Sequence, residues 1–168
     1  MLHRIPPWLP ALALVVLLAG AAGSTSSAPP EVRTTHGLLR GRVPPVGGSA
    51  FLGIPFARPP VGDRRWRPPE PPTPWEGVRD ATRFAPVCPQ GEGTEAYYRR
   101  AARRLGRDTT TVPVLGSTSE DCLYLNVWTP GTDIDGPLPV FVWVHGGAGT
   151  SGAGSDPLFR GDALAARG

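Results

Sequence analysis

The sequence predicts an α/β fold in which at least one strand lies buried in a parallel sheet with helices either side, and three observations carry that prediction. Pro139 to His145, PVFVWVH, is a near-continuous apolar run. Such a run fits a strand buried on both faces, as the strands of parallel sheets are. It breaks at once into a glycine cluster: Gly146, Gly147, Gly149, Gly152 and Gly154. Upstream, short strand-like runs punctuated by Gly and Pro are interrupted by one stretch of helical period.

The elements follow in order. Glu31 to Val43, EVRTTHGLLRGRV, reads as two short strands around His36-Gly37, a hairpin signal. Pro44 to Gly48 is a second turn. Phe51 to Phe56, FLGIPF, is a short apolar strand stopped by Pro59-Pro60. Val61 to Pro74 is rich in Arg and Pro. It lies extended on a surface, because proline lacks the N–H that a central strand must donate. Trp75 to Phe84 is a mixed, partly buried segment. Cys88 opens a long loop that closes at Cys122.

Inside that loop, Glu95 to Arg107 reads as a helix. Tyr98, Ala101, Ala102 and Leu105 recur at spacings of three and four, and Arg99, Arg103 and Arg107 line the opposite side. Glu95 suits the start of such a helix and the arginines its end, by the sign of the helix dipole. A solvated basic face accounts for the pattern; a site for a polyanion or a partner is the sharper alternative. Leu123 to Trp128, LYLNVW, is a strand with partial alternation, and Asp162 to Arg167 begins a helix.

Before all of this stand Arg4, an apolar run from Trp8 to Gly23, and small residues ahead of Ser24. That order predicts a secretory signal peptide over 1–23, cleaved between Ala19 and Ala28. A flexible leader at 24–30 and the domain segment at 31–168 follow. A membrane span needs about 20 apolar residues, more than this run offers, and Pro10 interrupts it. The mature chain is therefore expected to be secreted or extracellular, where a disulfide persists. The only asparagine, Asn126, is followed by Val127 and Trp128, so there is no N-glycan sequon.

Composition narrows the classes. Of 168 residues, 40% are hydrophobic and 18% charged, a globular balance. The 22 Gly and 22 Pro argue against long helices. All 17 basic residues are Arg, and the net charge of +3 is too small, with no dense basic stripe, to indicate nucleic acid. Two Cys cannot make a four-ligand zinc site, but they can make one disulfide. Neither a metal nor a cofactor is expected.

Three chemistries compete for the glycine cluster. A Walker loop needs a Lys, and the chain has none. A dinucleotide fingerprint is spelled by Gly147, Gly149 and Gly152, but further glycines and Pro157 stand where a helix should start. The third is an oxyanion hole: His145-Gly146-Gly147-Ala148 resembles the HGGG-type segment of lipases and esterases. Bare backbone amides at a strand end can donate to a developing oxyanion, and glycine leaves room for the acyl group.

Other segments extend the resemblance. Glu120 to Pro130, EDCLYLNVWTP, resembles the EDCLYLN signature of the type-B carboxylesterase and cholinesterase family. Phe51 to Ala57, FLGIPFA, with Pro59, Pro60 and Gly62, is similar to a second family segment. Arg64 to Pro71, Trp75 and Phe84 to Gln90 continue it in order. The similarity covers residues 31–168 apart from the loop interior.

The resemblance implies the N-terminal part of an α/β-hydrolase fold, a mixed, mostly parallel sheet covered by helices, here incomplete. It implies a Cys88–Cys122 disulfide and an ion pair of Arg65 with Glu120. It also implies that Gly147 and Ala148 supply oxyanion-hole amides, with Gly146 beside them. Ala148 stands where the family's esterases usually have a third Gly; it keeps the N–H, and its methyl narrows the acyl pocket. The cholinesterase Trp that holds choline by cation–π attraction corresponds to Val112, with Tyr97 or Tyr98 as a shifted aromatic.

Ester cleavage by this fold needs a GxSxG nucleophile, then an acid, then a histidine. The nearest match, Gly149-Thr150-Ser151-Gly152-Ala153, ends in Ala. The resemblance places all three groups beyond residue 168. The chain accordingly reads as a fragment, a truncated isoform or a partial gene model. His3 and His36 are out of order for the base, and His145 is expected to orient the oxyanion loop. The implied function is carboxylic ester hydrolysis of a small ester through an acyl-enzyme. The alternative is a catalytically inactive adhesion protein of neuroligin type, binding a protein partner.

Overall fold

Thr34 makes the first turn. Its hydroxyl donates to Gly37 O at 2.9 Å and accepts from His36 N at 3.2 Å. This closes the expected hairpin between β1 (Glu31–Thr34) and β2 (Gly37–Arg40), which pair antiparallel from Glu31↔Arg40 to Thr34↔Gly37. An Arg40–Glu31 ion pair at 3.0 Å sits on the outer register pair. The structure, a computed structural model, describes residues 28–91 and 93–168. The expected signal peptide at 1–23 lies outside them. Pro30, at the end of the expected leader, is already tied to the sheet, its carbonyl accepting from Gly41 N at 2.8 Å.

Two small sheets form. In the first, β2 also pairs in parallel with β4 (Val78–Asp80). In the second, β3 (Ser49–Pro55) pairs antiparallel with β5 (Tyr124–Thr129). The register of β3 slips between Phe51 and Ile54, around Gly53 at φ +65°. A bulge leaves a backbone group without a ladder partner; here Gly53 N donates to Asn126 Oδ1 at 3.0 Å. Leu52 N reaches across to Ala81 O at 2.7 Å and ties the two sheets together.

The core lies between them. Leu39, Phe51 and Ala81 are buried together, with Ile54 and Trp75 packed against them. Each large apolar side chain so buried contributes about 1.5–3 kcal/mol. Trp75 satisfies its indole by donating to Leu38 O at 2.9 Å.

Helix α1 (Gly93–Arg104) occupies the disulfide loop. Gly106 at φ +63° ends it, with Arg107 N donating to Ala102 O at 2.8 Å and Gly106 N to Arg103 O at 3.1 Å, a left-handed C-terminal cap. Two expectations need correction. Arg107 lies past the helix rather than on it, and Leu105, expected on the packed face, is exposed. Helix α2 (Asp162–Ala165) is one short turn where a helix was expected to begin.

The larger correction concerns the apolar run. Val140 to Val144 forms no strand and is 56–85% exposed. A strand buried on both faces needs strands on its edges and helices above and below. Among the described residues no strand pairs with it: the second sheet holds only β3 and β5. Nor is the pairing mostly parallel there: of three strand pairs, only β2 with β4 is parallel.

Candidate active site

The glycine cluster folds into a tight turn. Thr150 N and Ser151 N both donate to Gly147 O, at 3.0 and 3.1 Å. Gly147 has φ +128°, and a Cβ there would lie 1.8 Å from Ser151 O, so no side chain fits. Gly152, at φ +103°, brings its Cα within reach of the turn's entry: a Cβ would meet Gly146 O at 2.3 Å. Ala148 is held at φ +55°, a left-handed conformation that L-residues adopt at a cost of about 1–2 kcal/mol.

That closure spends the amides of Thr150 and Ser151. Those of Gly146, Gly147, Ala148 and Gly149 take no hydrogen-bond acceptor among the described residues. They are available to an incoming oxygen, as the first N–H groups of a helical turn are. His145 lies beside them, its Nδ1 2.8 Å from Gly146 O.

Beside the turn opens a cleft of about 730 Å³. Phe56, Phe84, Tyr124 and Trp143 line it, with the Cys88–Cys122 bridge and Gly146. Gly147 and Ala148 are exposed on the turn itself and do not line the cleft. The disulfide is formed between cysteines 34 positions apart in the chain. Glu120, two residues before Cys122, forms an ion pair with Arg65. Both side chains are about half exposed, so solvent reduces the pair to roughly 0–1 kcal/mol.

Three side chains hold the exit of the turn and the segment after it; Gln90 and Asn126 stand in the family-like segments Phe84 to Gln90 and Glu120 to Pro130, but those motifs do not say what either side chain holds. Gln90 grips Gly152 through two hydrogen bonds. Asn126 donates to Gly154 O at 3.2 Å from the strand side. Asp156, 1% exposed, accepts from Leu158 N at 3.0 Å and from the Tyr98 hydroxyl at 2.5 Å. Burial, and then the bond to Asp156, push the Tyr98 phenol up to about 12. Tyr98 is thus engaged by Asp156, while Tyr97 is exposed and Val112 offers no ring. Among the described residues no group of three or more His, Cys, Asp or Glu is placed to hold a metal ion.

A free-amide glycine turn at the mouth of a cleft, beside a disulfide loop, is an arrangement of α/β esterases. The family model described as the carboxylesterase family matches residues 28–168, and the chain belongs to that family. It is 42% identical over 160 residues to a fumonisin B1 esterase of Sphingopyxis macrogoltabida, covering 94% of this chain and 27% of that protein. It is 43% identical over 175 residues to the human cocaine esterase, covering 98% and 29%. Among solved structures, a PNB esterase superposes with a TM-score of 0.68 at 43% identity, covering 82% of this chain and 25% of that one. A Geobacillus stearothermophilus carboxylesterase gives 0.64 at 40%, covering 82% and 24%. The fold is therefore that of the N-terminal part of an α/β-hydrolase, and the chain spans about a quarter of the length of these relatives.

Proposed function

We propose that this segment serves carboxylic ester hydrolysis, with Gly147 and Ala148 as oxyanion donors, Gly146 beside them and the cleft as the seat of a small ester. The observation that carries the reading is the closed glycine turn whose amides are left without acceptors. An acyl-transfer transition state places negative charge on the former carbonyl oxygen. Preorganised N–H groups then stabilise it more than the ground state. The chemistry also requires a serine elbow, an acid and a histidine base. The 168 residues contain no GxSxG, so the active polypeptide is one in which this segment joins those groups.

The ester is not choline-selective, since the position that corresponds to the family's choline-binding ring is Val112 and Tyr98 is bonded to Asp156. The relatives named above are hydrolases by name, which favours the esterase over the neuroligin-type alternative. A secreted protein, trimmed between Ala19 and Ala28, is part of this reading.

The test is a hybrid in which residues 28–168 replace the matched quarter of the PNB esterase. Serine-dependent turnover of a nitrophenyl ester supports the reading. A soluble, folded hybrid that binds an organophosphate at the parental rate yet turns over no ester speaks against it.

A further inference from the structure

Gln90 lies two residues past Cys88, and its carboxamide engages both backbone groups of a single glycine. Gly152 N donates to Gln90 Oε1 at 2.7 Å, and Gln90 Nε2 donates to Gly152 O at 2.8 Å. Among the described residues Gly152 has no other hydrogen-bond partner. The contact spans 62 residues of chain, and its near end is fixed by the disulfide at Cys88. Gln90 Nε2 is also within 3.3 Å of Cys88 O, which restricts the side chain further.

What Gly152 holds in turn is the entry of the glycine turn. Its Cα packs so closely on Gly146 that a Cβ would stand 2.3 Å from Gly146 O and 2.6 Å from His145 Nδ1. Between them, Gly147 O accepts from Thr150 N and Ser151 N. Entry, crest and exit therefore move as one piece, and Gln90 is the side chain that fastens that piece at its exit.

We propose that Gln90 is a positioning residue: its carboxamide fixes the exit of the glycine turn, and with it the direction of the Gly147 and Ala148 amides, using the Cys88–Cys122 bridge as its anchor. Its effect on turnover rests on the ester-hydrolase reading; the contact itself does not. Because oxyanion donors must meet the charge at hydrogen-bond distance, a misplacement of order 1 Å is enough to slow chemistry by about ten- to a hundredfold.

Two substitutions separate position from packing. Gln90→Met keeps the length and loses both hydrogen bonds; Gln90→Glu still accepts from Gly152 N but cannot donate to its carbonyl. In the full chain, hydrogen exchange at the Gly152 amide should speed up about tenfold in Gln90→Met, with peptides of α1 unchanged. An unaltered Gly152 rate, or a wild-type Gly152 amide with no protection, overturns the proposal. In the hybrid enzyme, Gln90→Met should lower kcat about tenfold or more with KM within about twofold, and Gln90→Glu should fall between. Parental kcat in Gln90→Met also overturns it. A wild-type hybrid without turnover counts instead against the ester-hydrolase reading, and the exchange result then decides the positioning role alone.

Discussion

The Tyr98 hydroxyl donates to Asp156 at 2.5 Å, joining helix α1 to the segment that follows the glycine turn. Asp156 is 1% exposed, so that donor is one of the few groups that offset the burial of its carboxyl. Tyr98→Phe leaves the Asp156 oxygen without its partner and should destabilise the chain by about 1–3 kcal/mol in urea unfolding.

Burial of the Tyr98 phenol, and then the same bond, set a pH dependence. The phenol is held up at about 12, above its ordinary 10, so the folded state favours the neutral form. The stability it contributes is fully present below pH 10 and is lost as pH rises from there through about 12. Phenolate absorbance should show a late phase near pH 12 that Tyr98→Phe abolishes.

Ala148 holds a left-handed backbone that glycine adopts without strain. Ala148→Gly should therefore raise stability by up to about 1 kcal/mol, the relief of strain being partly offset by the freer unfolded chain. A β-branched residue there should do the reverse. Thermal unfolding of the pair measures both.

Cys88 and Cys122 enclose a ring of about 35 residues, for which loop-closure entropy gives roughly 3–4 kcal/mol. Replacing both by Ser should cost about that much. It should also release Gln90, so exchange at Gly152 should quicken even under conditions where the variant stays folded.

The 168-residue chain by itself should not turn over a nitrophenyl ester, because an oxyanion hole stabilises a charge that only a nucleophile creates. The exposed run from Val140 to Val144 should also make it prone to association. Turnover above a heat-treated control, abolished by an organophosphate, would expose a nucleophile among these residues.

Local chemistry made much of the fold legible. His36-Gly37 marked the hairpin because turn residues act over three or four positions, and the period of Tyr98, Ala101 and Ala102 marked α1. The run from Val140 to Val144 misled for a physical reason: its composition encodes burial on both faces, and among the described residues no strand pairs with it and its side chains stay more than half exposed. The motifs contained Gln90 and Asn126 but did not show that their side chains reach the glycine turn and the segment after it. Gln90, Asn126 and Asp156 act across 62, 28 and 58 residues of chain, and such separations leave no local pattern.

The central claim is that the Gly147 and Ala148 amides receive the oxyanion, and a trifluoromethyl ketone tests it most directly. Such a ketone adds to the serine and leaves a tetrahedral oxyanion where the donors must be. In the hybrid, inhibition should be as tight as in the parent esterase. Gly147→Ala forces a Cβ against Ser151 O, at 1.8 Å in the present geometry, and should weaken it by about 10²–10³-fold, the loss expected for one oxyanion donor. A folded Gly147→Ala hybrid that binds the ketone as tightly as the unsubstituted one would contradict the account.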